Sequence, residues 1–106
     1  MAFDINEVVA QMLGAVKTTV KDEWNMVKDT AGAFLQTRKD RLELLASLRL
    51  NNEISQKFFL KRLEDEKKIL ESELHAVAII TKAIAQRAAN AALDILGKAV
   101  SAALPF

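Results

Sequence analysis

A chain of 106 residues, with 51% hydrophobic and 27% charged residues, is long enough for one folded domain and too apolar to be disordered. The net charge of +1 gives no strong attraction to nucleic acid, and the lack of cysteine excludes disulfides and thiolate metal sites. The chain begins without the basic and apolar regions of a secretory signal, and no apolar run is long enough to span a membrane. We therefore expect a cytoplasmic protein.

The first arm of the chain has a strong helix start and a long helical pattern. Asp4 and Glu7 have the spacing of a capping box, in which the Asp4 side chain accepts from the Glu7 backbone N–H. Apolar residues then recur at steps of mostly three and four: Val9, Met12, Val16, Val20, Trp24, Val27, Ala31, Phe34, Leu42, Leu45 and Leu48. The pattern predicts one helix over residues 5–50, which would be about 70 Å long.

Thr30 to Ala33 is the weakest part of this arm, because it contains both a β-branched threonine and Gly32. A break at this place would give a monomeric three-helix protein instead of a long helix. That alternative needs no partner to be stable, but its helices would differ greatly in length.

Asn51-Asn52 is the clearest break in the chain, because asparagine tolerates left-handed backbone angles and caps helices well. A second helix is predicted over residues 53–104, ending before Pro105. Residues 1–106 thus form a single all-α domain, a long antiparallel helical hairpin.

A fold-back at Asn51-Asn52 would place residue i opposite residue 103 minus i. Opposite charges then meet at three levels, which favours this register even though exposed ion pairs contribute little to stability. The expected neighbours are Arg38 and Arg41 with Glu64 and Glu66, Lys28 with Glu73 and His75, and Glu23 with Lys82.

The second arm has more apolar surface than one neighbouring helix can cover. Its polar residues lie mainly on one narrow stripe, formed by Lys82, Gln86, Asn90, Asp94, Lys98 and Ser101. An apolar arc of this width needs more than one partner helix. We therefore predict that hairpins pair into a four-helix bundle or a larger helical oligomer.

The side chains expected at this interface are large and apolar, and they lie on both arms. The candidates are Trp24, Phe58, Phe59, Val77, Ile80, Ile84, Leu93 and Ile95. The predicted partner is another copy of the chain or a helical protein.

A metal site is the second hypothesis considered, because Glu71 and His75 are one helical turn apart and Glu23 interrupts the apolar pattern. Di-iron helical proteins use a Glu-x-x-His step, and the residue three before His75 is Ser72. The favoured interpretation of His75 is an exposed histidine on a charged stripe of the helix. That of Glu23 is a carboxylate at the edge of the apolar helix contact, with its charge in solvent. We predict no metal and no cofactor.

Contacts with nucleic acid and membranes are also not expected. The basic residues near the turn are interspersed with acids, and the apolar second arm lacks the Lys and Arg excess of surface-bound helices. The sequence has no nucleotide-binding or hydrolase motif. The favoured function is a non-enzymatic, self-associating structural or adaptor protein. The alternatives are a ferritin-like metal-binding protein assembled across subunits and a membrane-surface-active helical protein.

Overall fold

The structure, a computed structural model, describes residues 3–77 and 80–105. Over these residues the chain is helical without strands, as the sequence predicts. The elements are α1 (Ile5–Val20), a 3₁₀ turn (Lys21–Glu23), α2 (Trp24–Leu50), α3 (Gln56–His75) and α4 (Lys82–Ala103). The single-domain prediction also covers residues 1, 2, 78, 79 and 106, which lie outside the described part.

Helix α1 begins where the sequence predicts, but its cap differs in detail. The Asp4 side chain accepts from the backbone N–H of Asn6 at 2.9 Å, and not from that of Glu7. The side chain of Asp4 still satisfies one of the unpaired N–H groups at the helix start.

Hydroxyl side chains cap two further helices. The Ser55 side chain accepts from the Phe58 N–H at the start of α3, at 3.1 Å. At the start of α4 the Thr81 side chain accepts from the Ile84 N–H at 3.2 Å. Both caps fix the residue at which a helix begins again after a change in chain direction.

The prediction of one continuous helix over residues 5–50 is wrong, because the chain turns at Lys21. This residue has φ 54° and ψ −114°, and its N–H donates to the Lys17 carbonyl at the end of α1. Turning here allows α1 to fold back and pack on α4, which a straight helix would prevent. Thr30 to Ala33 lies inside α2, so the alternative break does not occur there either.

The prediction of one helix over residues 53–104 is also wrong. Helix α3 ends at His75 and α4 begins at Lys82; the predicted helix also covers Ala78 and Ile79, which lie outside the described residues. The separation allows α4 to pack against both α3 and α1. The wide apolar arc of α4 is therefore covered by helices of the same chain.

The turn between α2 and α3 is organised by the buried side chain of Arg49. Its guanidinium donates to the Gln56 side chain at 2.9 Å, and to the Asn52 side chain and the Ile54 carbonyl at 3.2 Å each. Asn52 adopts a left-handed φ of 60°, a conformation that asparagine tolerates better than most residues. The predicted break at Asn51-Asn52 is thus present.

The core lies between α4 and the other three helices, and small side chains let α4 approach them closely. Its α4 members are Ala85, Ala88, Ala89, Ala92, Leu93, Leu96 and Val100, and those of α1 are Ile5, Val8, Val9, Met12, Val16 and Val20. The described chain measures 42 × 22 × 20 Å with a radius of gyration of 13.5 Å. These dimensions exclude the predicted rod of about 70 Å.

Candidate functional site: a groove between α2 and α3

Most of the predicted interface residues are used inside the chain. Phe59, Ile80 and Leu93 are buried, so they are not available to a partner. Four others are half-buried and pack against the core: Trp24, Val77, Ile84 and Ile95. Phe58 alone among the eight candidates is classed as exposed.

A groove between α2 and α3 is lined by several exposed or half-buried apolar side chains. Leu44 is 59% exposed, Phe58 43% and Ile69 38%, and all three line this groove together with the half-buried Leu45 and Leu48. We call it the α2–α3 groove. Because isolated exposed apolar residues are ordinary and clustered ones are not, this is the surface that best fits a binding site.

The groove was only partly predictable from the sequence, although a signal exists. Phe58-Phe59, Ile69-Leu70 and Leu44-Leu45 are apolar doublets, and adjacent residues on a helix lie about 100° apart. In the first two doublets one side chain is buried while its neighbour faces the groove. In the third, Leu44 is exposed and Leu45 is half-buried against the core, and both line the groove. Leu44 and Ile69 lie beside the apolar stripes that predict the core, so those stripes do not indicate them.

Two arginines give the groove exposed positive charge. The Arg62 guanidinium lies 5.0 Å from the Phe58 ring centre and donates to the Asp65 carboxylate at 3.2 Å. Arg41 is exposed and contacts Glu66 through Nε at 3.3 Å. The groove therefore offers hydrogen-bond donors beside an apolar surface.

Glu66 anchors one wall of the groove. Its side chain is 4% exposed and receives two N–H groups of Arg38, from Nε at 2.8 Å and from Nη2 at 2.9 Å. Arg38 is also 5.6 Å from the Phe34 ring centre. This ion-pair cluster confirms the predicted proximity of Arg38 and Arg41 to Glu66, whereas Glu64 pairs with Lys67 instead. The cluster fixes the relative position of α2 and α3.

The other two predicted charge levels do not form ion pairs in the part of the chain that the structure describes. Lys28 forms an ion pair with neither Glu73 nor His75, and Glu23 forms none with Lys82. For Glu23 and Lys82 the breaks at Lys21 and after His75 explain the difference, because the register of a continuous hairpin does not extend beyond them.

A second ion-pair cluster joins α3 to α4 outside the groove. Lys67 Nζ lies 2.9 Å from Asp94 Oδ1 and 3.1 Å from Glu64 Oε1. Burial lowers the pKa of Lys67, but hydrogen bonds to Asp94 and Glu64 and the charges of both carboxylates outweigh it. The pKa of Lys67 is thus raised above its usual 10.5.

The metal-site candidates are not brought together into a cluster. His75 is exposed at the end of α3, Glu71 is half-buried one turn earlier, and Glu23 lies in the 3₁₀ turn after α1. Within residues 3–77 and 80–105, no group of three or more His, Asp or Glu side chains is arranged to hold a metal ion.

Comparison with known proteins adds no identification. The chain matches no protein-family model, no curated protein and no solved structure. Among the described helices, none has the length and apolar character needed to cross a membrane.

Proposed function

We propose that this chain is a non-enzymatic helical structural or adaptor protein that self-associates through the α2–α3 groove. One observation carries the proposal: the three exposed side chains Leu44, Phe58 and Ile69 line a single groove instead of being scattered. Covering them removes apolar surface from water, which is the main driving force of protein association.

The charges around the groove support a second copy as the partner. Arg41 and Arg62 provide donors and Asp65 provides a carboxylate, so one groove carries both signs of charge. In a two-fold symmetric contact each copy presents the same set, and an arginine of one copy can meet the Asp65 carboxylate of the other. A nucleic-acid surface would instead need unbalanced positive charge.

The sequence-based alternatives gain no supporting observation. The candidate metal ligands are dispersed, and the apolar side of α4, expected to meet a membrane surface in the third hypothesis, contributes to the core. The absence of catalysis and the cytoplasmic location both stay predictions from the sequence.

The test uses two exposed apolar residues of the same helix. Leu44 and Met26 are 59% and 61% exposed on α2, but only Leu44 lines the groove. We expect Leu44→Glu to raise the dissociation constant of the dimer by at least about tenfold, because it places a carboxylate in the apolar contact. Met26→Glu should leave the constant unchanged.

The measurement is the molar mass by light scattering over a wide range of protein concentration, with circular dichroism to show that each variant is folded. A wild-type protein that stays at the 11.7 kDa monomer mass at every concentration would overturn the proposal. Equal weakening by both variants would also overturn it, because the groove would then have no special role.

A further inference from the structure

The link between α1 and α2 has a backbone conformation that its residue does not favour. Lys21, at φ 54° and ψ −114°, resembles the first central residue of a type II′ turn, a position dominated by glycine. A residue with a Cβ atom persists in this region only when the surrounding structure holds it there. Here the packing of α1 on α4 is what requires the turn.

The same residues are well suited to a continuous helix. From Val16 to Phe34 the chain contains no proline, and Gly32 is the one glycine. Val16, Val20, Val27 and Ala31 follow each other at steps of four, seven and four, which keeps one apolar stripe across the link. Straightening the link would therefore convert α1 and α2 into one helix over residues 5–50 without interrupting that stripe.

The surface that α1 covers can accept the α1 of another copy equally well. Helix α1 packs on α4 with Met12 and Val16 fully buried, and it makes no packing contact with α3 in the described chain. An α1 supplied by a second copy would make the same contacts with α4. Helix α1 also packs on α2, and in an exchanged pair α2 of the other copy takes this place, so the link decides which copy provides α1.

We propose that two copies of this chain exchange α1: the Lys21 link straightens, and α1 of each copy packs on α4 of the other. This inference goes beyond the self-association proposed above because it uses the α1–α4 contact and not the α2–α3 groove. Exchange removes the unfavourable conformation of Lys21 from both copies while keeping the α1–α4 contacts. Its extent therefore depends on protein concentration and on residue 21.

Cysteine cross-linking can detect the exchange directly, because the chain has no cysteine of its own. Gln11 on α1 and Ala102 on α4 are exposed and line the same cleft between the two helices. Full-length Gln11→Cys and Ala102→Cys variants are mixed in denaturant, refolded together at high concentration and oxidised. Disulfide-linked heterodimers form efficiently when α1 of one chain lies on α4 of the other.

The control pair combines Gln11→Cys with Lys61→Cys, since Lys61 is exposed on α3, the helix that α1 does not contact. We expect this pair to cross-link only at the level of random collisions. A heterodimer yield for Gln11→Cys with Ala102→Cys no higher than the control would overturn the proposal, whatever the groove variants show.

Two substitutions at Lys21 test whether the backbone conformation of this residue favours the exchange of α1. Lys21→Gly and Lys21→Ala both remove the lysine side chain, but only glycine adopts positive φ at no steric cost. We expect Lys21→Gly to reduce the heterodimer yield relative to Lys21→Ala by about fivefold, because the closed chain is then no longer strained. Equal yields in the two backgrounds would overturn the role of the link.

Discussion

Glu66 is a carboxylate held almost entirely out of water between α2 and α3, where Arg38 binds it with two N–H groups. Replacing only the acid leaves a half-buried guanidinium without its partner, and breaking such a pair costs more than the pair itself contributes. We expect Glu66→Ala to lower the free energy of unfolding by about 2–3 kcal/mol. Urea denaturation monitored by circular dichroism measures the loss.

Asp65 is the matched control, because it is the neighbouring acid and pairs with Arg62 near the surface. Exposed pairs contribute little, so Asp65→Ala should change the free energy of unfolding by less than about 1 kcal/mol. If the two variants lost equal stability, the buried cluster would not be what holds α2 against α3.

Lys67 gives the protein a pH dependence in the alkaline range. Its pKa is raised above 10.5 in the folded chain, so the folded state holds this proton more tightly than the unfolded state. The resulting stabilisation is fully present below the unfolded pKa and is lost as the pH rises through the folded pKa. We therefore expect the stability difference between wild-type protein and Lys67→Met to be constant near neutral pH and to shrink above 10.5.

The measurement is a series of urea denaturation curves for both proteins from neutral to strongly alkaline pH. The sequence contains neither tyrosine nor cysteine, so no phenol or thiol titrates in the same range. Because both proteins contain the other lysines, the contribution of those lysines cancels in the stability difference between them. A difference that grows with pH would show that burial, and not the two carboxylates, controls Lys67.

At the scale of the helices, glycines inside α1 and α4 allow a comparison of helix propensity with packing. A Cβ added at Gly14 would have no neighbouring atom within 4 Å, whereas one at Gly97 would lie 3.2 Å from Leu63 Cδ1. We expect Gly14→Ala to raise the free energy of unfolding by about 0.5–1 kcal/mol, because alanine favours the helix.

Gly97→Ala should gain less than Gly14→Ala, because Leu63 has to move away from the new methyl group. Chemical denaturation of both variants under one set of conditions gives the comparison. A larger gain at Gly97 than at Gly14 would contradict the close contact between α3 and α4 at this position.

The helix ends show what the sequence made predictable. The breaks that have local chemistry were found, namely Asp4 before α1 and Asn51-Asn52 after α2. Thr81 was a missed signal, since a threonine three residues before Ile84 has the spacing of a helix cap. The turn at Lys21 has no such signal, because a Lys-Asp-Glu segment is compatible with a continuous helix and tertiary packing overrides the local preference.

For the whole molecule, the wide apolar arc predicted for the second arm is present on α4, and helices of the same chain cover much of it. Covering this arc requires several helices, and the chain provides them itself by turning at Lys21 and again after His75. In the described part of the chain, the α2–α3 groove is a smaller surface on which exposed apolar side chains remain clustered. The position of the groove depends on which side chain of an apolar doublet packs into the core. The register of a continuous hairpin does not give that information.

The two proposed contacts use separate parts of the molecule. The groove lies between α2 and α3, while exchange concerns α1 and α4. A chain that has exchanged α1 still presents its groove, so the two contacts are compatible within one assembly.

The packing of the first helix on the last also constrains how this protein is made. Helix α1 packs on α4, whose first residue is synthesised about 60 residues after α1 is complete. Until that point in translation, the apolar side of α1 has no α4 on which to pack. Neighbouring nascent chains on one messenger RNA would have the opportunity to capture each other's α1 at that stage, before either chain has closed.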